Sequence, residues 1–186
     1  MRKLILSNLV SADGLYEGPG NDLSWFKIDP EFHKQMVTIF DRVDTILIGR
    51  KTYEGFAGYW PGKTMEDDRA ADFMNQSTKI VFSKTLSKAP WGKWEDGVII
   101  NDDIEKAVSS LKQQPGKDMV VFGSGSICTA LSQADLIDEY RFIVNPVILG
   151  NGNQMFHRAP LNHPLKLKSV TAMSYGVVML DYERDR

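Results

Sequence analysis

The chain has little cysteine and histidine, and no charge of one sign to spare. A single thiol, Cys128, cannot form an internal disulfide, and three histidines with no second thiol make a poor metal-ligand set. The natural reading is a metal-free protein of a reducing compartment, the cytoplasm. The formal net charge is −2, from 22 Lys plus Arg against 24 Asp plus Glu. That leaves no basic surplus for a phosphate backbone, which argues against a general nucleic-acid binder. No window approaches the roughly 18 uninterrupted apolar residues of a membrane span. The apolar stretch Leu4 to Val10, behind Met1-Arg2-Lys3, is broken by Ser7 and Asn8, and so reads as a first strand rather than a leader. No Ser/Gly/Pro-rich linker divides the chain, so one domain over residues 1–186 is expected. Two catalytic motifs are also missing: there is no G-x-x-x-x-G-K-[ST] for phosphoryl transfer and no G-x-S-x-G for a hydrolase.

What is present is an alternation of short apolar runs with helix-period stretches. Leu4 to Val10 is followed by a Gly/Pro-rich loop from Asp13 to Asn21. Asp29-Pro30 is a helix start, and Phe32, Met36, Ile39 and Phe40 share one face, predicting a helix over about 30–41. Thr45 to Ile48, Lys79 to Phe82, Val98 to Ile100 and Met119 to Phe122 read as strands. An amphipathic helix follows the cap cluster Asn101-Asp102-Asp103, and a shorter helix follows Gly123-Ser124-Gly125-Ser126, running to about Ala134. Glu139 to Val147, Leu165 to Thr171 and Gly176 to Tyr182 are strand-like with no helical stretch between them, the last two as antiparallel pairs. The pattern predicts a three-layer α/β/α fold with a mixed, mostly parallel central sheet and antiparallel C-terminal strands. Ligands in such sheets sit at the carboxyl ends of the strands.

Three of those strand ends could receive an anion. Gly49-Arg50-Lys51-Thr52 would present two cations, a hydroxyl and the first N–H groups of a helix starting near Thr52; taken alone it also reads as a solvated basic turn. Ser83-Lys84-Thr85 suits a phosphomonoester, or is simply a turn. Gly123-Ser124-Gly125-Ser126 can form a nest of N–H groups for a pyrophosphate, though it lacks the full G-x-G-x-x-G spacing. Three such ends on one sheet together suggest a dinucleotide with an extra phosphate, for which NADPH is the natural candidate.

Catalytic groups are scarcer. His33 falls in the first helix and His157 and His163 in a loop, none at ligand-like spacing. Cys128 reads as a small buried apolar residue. Asp22 stands beside Leu23, Ser24, Trp25 and Phe26, and a carboxylate set among aromatics would be desolvated. It could then hold a proton for a ring nitrogen, orient an amidine-like edge, or serve only as a loop or cap residue.

These residues resemble the dihydrofolate reductase fold family over nearly the whole chain. Asn21 to Lys27 is similar to the D-L-x-W-F-K segment that carries the substrate-binding acid of true dihydrofolate reductases. The resemblance makes Asp22 the catalytic and substrate-binding carboxylate, with Trp25 and Phe26 beside the substrate. Gly49 to Glu54 is similar to G-R-K-T-[WY]-E, which implies phosphate contacts at Gly49, Arg50, Lys51 and Thr52. Ser83 and Lys84 match the strand end that receives the 2′-phosphate, and Gly123, Ser124, Gly125, Ser126 and Ile127 the turn under the pyrophosphate and nicotinamide. Ala12 and Asp13 would belong to the mobile loop over the nicotinamide.

The tail points to one branch. Asn145-Pro146-Val147-Ile148-Leu149-Gly150-Asn151-Gly152 with Met155-Phe156, and Ser11-Ala12-Asp13-Gly14, resemble the reductase domain of bifunctional riboflavin deaminase-reductases (RibD) and its stand-alone relatives. The D-T-x-F-P segment of true dihydrofolate reductases is absent, and Cys128 stands where they carry an aromatic. The resemblance implies an NADPH-dependent reductase acting on a ribosylaminopyrimidine or pteridine-like substrate in riboflavin biosynthesis. Dihydrofolate reduction, a non-catalytic NADPH-binding protein and a flavin binder are the alternatives. A homodimer is implied by the relatives and by a β-rich tail that could offer a sheet edge to a partner.

Overall fold

A computed structural model describes residues 1–27, 30–156 and 162–185. In chain order the elements are β1 (Leu4–Ser11), β2 (Leu15–Glu17), α1 (Pro30–Phe40), β3 (Val43–Gly49), α2 (Arg50–Tyr59), α3 (Ala71–Gln76), β4 (Thr78–Phe82), β5 (Val98–Ile100), α4 (Ile104–Gln113), β6 (Asp118–Phe122), α5 (Gly125–Gln133), β7 (Glu139–Asn145), β8 (Asn153–Gln154), β9 (Leu165–Ala172) and β10 (Val178–Arg184). Asp29 and His157 lie outside the described residues.

Eight strands form one sheet in the order β5-β4-β3-β6-β1-β7-β10-β9. The first six run parallel, while β10 is antiparallel to both β7 and β9. The mixed, mostly parallel α/β architecture is therefore as the periodicity predicts. The two faces are apolar for different helices. Leu4, Leu6, Met119 and Val121 pack with Val108 of α4 and Cys128 and Leu131 of α5. Ile5, Ile46, Ile48 and Val120 pack with Ile39, Tyr53, Met74 and Trp91 on the other face. Alternate residues of β1 and β6 thus go to opposite helical layers, as the strand period of two requires.

Several boundaries move. α2 begins at Arg50, two residues before the expected Thr52, so both cations sit in its first turn. The seventh strand stops at Asn145 because Pro146 follows and cannot donate to a ladder. β10 begins only at Val178, after a turn in which Tyr175 adopts a positive φ of 59°. The Asp13–Asn21 loop contains β2, which pairs with β8 from the glycine-rich segment near 150 as a separate two-stranded ribbon. α3 was not expected; six residues are too few to show a helical period in sequence.

At the amino ends of the strands lies an ion network. Glu139, buried at the start of β7, accepts from Lys3 at 2.9 Å and from Arg42 at 3.0 and 3.2 Å, and Arg42 also bonds Asp118. Lys168 of β9 stands 3.3 Å from the same carboxylate. This end is opposite to the one that carries the proposed ligand chemistry.

Candidate functional site

Two strand–helix turns meet at the carboxyl end of the sheet. Gly49 caps α2 and Ser124 caps α5, yet neither helix has a side-chain hydrogen bond at its N-terminus. α4 is the internal contrast: Asp103 accepts from the N–H groups of Glu105 and Lys106. The leading N–H groups of α2 and α5 thus lack the side-chain cap that closes α4, and both carry the positive end of a helix dipole. The turns touch. A Cβ on Gly49 would fall 2.5 Å from Ser124 Oγ and 2.9 Å from Ser124 Cβ, so only glycine permits the approach. Ser124 itself has φ 53° and ψ 86°, a left-handed conformation that a residue with a side chain adopts at a cost.

Around this contact is a cleft of about 450 Å³. Gly49, Arg50, Lys51, Thr52, Ser83, Lys84, Ser124, Gly125, Ser126 and Ile127 all line it. Gly123 stands just behind, with φ 60° and Thr52 Oγ1 at 3.1 Å from where a Cβ would be, and its N–H donates to Asn8 Oδ1 at 2.8 Å. The structure thus brings together all three predicted anion sites. Lys51 and Lys84 are exposed at the rim, while Arg50 pairs with Glu54 at 2.9 Å along α2. Ser83 Oγ accepts from the Leu86 N–H at 3.0 Å and holds the turn that presents Lys84.

Other expected site residues lie elsewhere. Ala12 and Asp13 do not line the cleft. The Asp13 carboxylate accepts from Ser11 Oγ at 2.7 Å and from the N–H groups of Gly150 at 2.8 Å and Leu149 at 3.2 Å. These bonds, led by that from Ser11, hold its pKa at about 2. It pins the segment before β8 to the end of β1. Asp22, Trp25 and Phe26 are likewise outside the cleft lining. Desolvation of Asp22 does not prevail: the carboxylate is exposed, and the Ser24 N–H, donating to it at 2.9 Å, lowers its pKa. Trp25 Nε1 donates to the Asp22 carbonyl, and Trp25 meets Phe26 edge-on at 5.9 Å. The segment is fixed to the sheet by the Lys27 N–H donating to Asn145 Oδ1 at 2.9 Å.

Cys128 is fully buried and burial pushes its thiol up to about 12, which removes it as a nucleophile. His33 stands 3.8 Å from Asp68, both side chains being partly buried. Among the described residues no group of three or more His, Cys, Asp or Glu could hold a metal ion, and no helix is long and apolar enough to cross a membrane. Tyr16, Glu17 and Asn153 also line the cleft and were not expected there, because the ribbon that carries them has two short strands from distant parts of the chain. Asn8 was missed too, although a polar residue at a buried position of the first strand was a usable signal.

This arrangement can be set beside known proteins. The family model of the RibD C-terminal domain matches residues 2–179. The chain belongs to the RibD C-terminal domain family. This RibD C-terminal domain is 32% identical over 184 residues to the uncharacterized protein YyaP of Bacillus subtilis (strain 168), covering 97% of this chain and 94% of that one. Its fold is similar to that of the diaminohydroxyphosphoribosylaminopyrimidine deaminase/5-amino-6-(5-phosphoribosylamino)uracil reductase of Thermotoga maritima, with a TM-score of 0.70 at 14% identity. The match covers 99% of this chain and 57% of that one. It also resembles the dihydrofolate reductase of Enterococcus faecalis complexed with NADP(H), with a TM-score of 0.66 at 13% identity over 99% and 97% of the two chains. The architecture of this RibD C-terminal domain is therefore dihydrofolate reductase-like.

Proposed function

We propose that this RibD C-terminal domain is an NADPH-dependent reductase that transfers hydride to a ribosylaminopyrimidine or pteridine-like substrate, a reaction of the riboflavin-biosynthesis type. The observation that carries the reading is the meeting of two helix N-termini without side-chain caps, with Arg50, Lys51 and Lys84 around one cleft. Their free N–H groups and the hydroxyl of Thr52 suit a pyrophosphate, and Ser83 and Lys84 suit a further phosphomonoester. When bound, NADPH supplies the hydride. The chain's own groups fix its phosphates, and the rate advantage comes from proximity and orientation. Asp13 positions the loop that borders the nicotinamide end. Asp22, kept ionised by Ser24, orients an amidine-like edge of the substrate beside Trp25 and Phe26 as an anion rather than holding a proton.

Oxidation of NADPH, followed at 340 nm against ribosylaminopyrimidine, dihydrofolate and quinonoid pterins, tests the reaction. Loss of absorbance with the aminopyrimidine is expected; binding without oxidation on every substrate would replace the reading with a non-catalytic NADPH-binding protein. Lys84→Glu should erase most of the preference for NADPH over NADH in a binding titration, and an unchanged ratio would move the 2′-phosphate elsewhere. Asp22→Asn should lower turnover with NADPH affinity near wild type; wild-type turnover would remove its substrate role.

We also propose a homodimer, placed in the cytoplasm in keeping with a lone, buried thiol. Phe142, Leu180 and Val170 are directly cross-strand neighbours, as are Tyr140, Tyr182 and Leu167; Tyr140, Phe142 and Tyr182 belong to the core, and the rows open to solvent at the edge strand β9. Val170 and Leu167 are 57% and 51% exposed. Such a face at a sheet edge favours a second copy. Light scattering should give twice the chain mass, and Val170→Asp the single mass; a monomeric wild type would sink the proposal.

A further inference from the structure

A buried clamp holds one residue at the carboxyl end of the sheet, and neither of its side chains lines the cleft. Gly123 leaves β6 with φ 60°, and Ser124 after it has φ 53°, so two consecutive left-handed residues carry the chain from the strand into α5. Glycine adopts that conformation freely; serine does so only where its surroundings enforce it. The surroundings here supply two hydrogen bonds. The Gly123 N–H donates to Asn8 Oδ1 at 2.8 Å, and the Gly123 carbonyl accepts from the Cys128 thiol, with Sγ at 3.2 Å. Asn8 is 6% exposed and Cys128 is fully buried. Asn8 shares its side of β1 with Leu4 and Leu6, the side that α5 covers, so one jaw stands on the sheet and the other on the helix. Fixing the peptide on each side of the Gly123 Cα fixes both of its backbone dihedrals. Burial keeps the thiol protonated, as a donor must be.

These contacts reach the cleft through Ser124. Its Cβ and Oγ are the atoms that Gly49 admits, and Thr52 of α2 stands against Gly123 in the same way. A rotation of the Gly123 backbone would therefore carry Ser124 away from Gly49 and separate the heads of α2 and α5. We propose that Asn8 and Cys128 are positioning residues of the cofactor cleft, gripping Gly123 at its N–H and its carbonyl so that the two strand–helix turns keep their spacing. The inference rests on the dinucleotide reading above. A pyrophosphate bridging both turns needs that spacing, whereas a monophosphate held by Ser83 and Lys84 does not. The two jaws are unequal: an amide oxygen is a full acceptor and a thiol a weak donor, so Asn8 carries more of the effect. The clamp also accounts for a polar residue at a buried position of β1, since an apolar side chain there would leave the Gly123 N–H without its partner.

The test compares wild type with Asn8→Leu, which fills similar space without the acceptor. NADPH, titrated calorimetrically, should bind Asn8→Leu about tenfold more weakly, the scale of one ordinary hydrogen bond. Adenosine 2′-monophosphate, which carries no pyrophosphate, should bind both proteins equally. In the ligand-free proteins the Gly123 amide should exchange its hydrogen faster in Asn8→Leu. With one cysteine in the chain, the infrared S–H stretch reports the other jaw alone. It should move to higher wavenumber in Asn8→Leu, toward a thiol without an acceptor. A second pair keeps the test open if Asn8→Leu does not fold: Cys128→Ala should bind NADPH about threefold more weakly, and Cys128→Ser, which retains a donor, near wild type. Equal NADPH affinity in wild type and Asn8→Leu would overturn the proposal, as would a matching loss for adenosine 2′-monophosphate, which makes Asn8 a support of the whole fold. Equal affinities of Cys128→Ala and Cys128→Ser would remove the thiol from the clamp. An unchanged Gly123 exchange rate would overturn the hydrogen bond itself, whatever the ligand. Failure of wild type to bind NADPH, with faster Gly123 exchange and a shifted S–H band in Asn8→Leu, would instead overturn the dinucleotide reading and leave the clamp standing.

Discussion

Gly49→Ala should weaken NADPH binding at least tenfold and lower the unfolding free energy by about 1–3 kcal/mol, the usual cost of overpacking. The added methyl group would sit 2.5 Å from Ser124 Oγ and 2.9 Å from Ser124 Cβ. Turning the hydroxyl away relieves the first contact and leaves the second. The two turns must then separate, and with them the helix ends that would share the phosphates. Gly49 has φ −84° and ψ 167°, which alanine adopts freely, so backbone preference plays no part. The steric account is checked by a second change. In Gly49→Ala/Ser124→Gly the colliding side chain is gone and most of the stability should return, the next neighbour being Ile127 Cγ1 at 3.3 Å. Urea unfolding of the single and double variants measures this. A Gly49→Ala protein with wild-type stability and affinity would mean that the turns are not in contact.

Glu139→Gln should cost about 1.5–3 kcal/mol at pH 7, the scale of hydrogen bonds to a charged group, because the carboxylate is buried while Lys3, Arg42 and Lys168 keep contact with water. Burial by itself would push the Glu139 pKa up, but hydrogen bonds from Arg42 and Lys3, the Arg42 charge and that of Lys168 outweigh it and hold the group at about 2. Folded, the carboxyl is therefore a stronger acid than in the unfolded chain, where its pKa is near 4.5. Its contribution is fully present above that unfolded value and is lost as the pH falls from there toward 2. Wild type and Glu139→Gln should differ by that amount in urea at pH 7 and approach one another near pH 2. A difference that stays constant across this range would assign the loss to packing rather than charge.

The sheet and the cleft were legible to different degrees, for a physical reason. Strands such as Val43–Gly49 and Asp118–Phe122 are buried on both faces, so their composition announces them, and the residues at their ends inherit a known place. That logic located Arg50, Lys51, Lys84 and the Gly123–Ile127 turn, and the structure gathers all of them at one end of the sheet. Tyr16 and Asn153 escaped it because a pairing between short segments leaves no local period. Asp22 shows a different failure. Aromatic neighbours in sequence suggested a dry environment, yet solvation is decided by what packs from other parts of the chain, and at Asp22 the Ser24 amide and water prevail. Asp13 was expected only as a member of a loop, and no local signal announced that its carboxylate would bond the distant backbone of Leu149 and Gly150.

Those last two bonds join positions 136 and 137 residues apart. Closing so long a loop is paid in chain entropy before any contact repays it, and such contacts form slowly. Synthesis adds a further delay. A nascent chain that has emerged through β6 and α5 already carries the sequence of five parallel strands and of both strand–helix turns of the cleft, while the outer wall waits for residue 154. The cleft is therefore closed on its outer side only after the strands β1, β3, β4, β5 and β6 have been made.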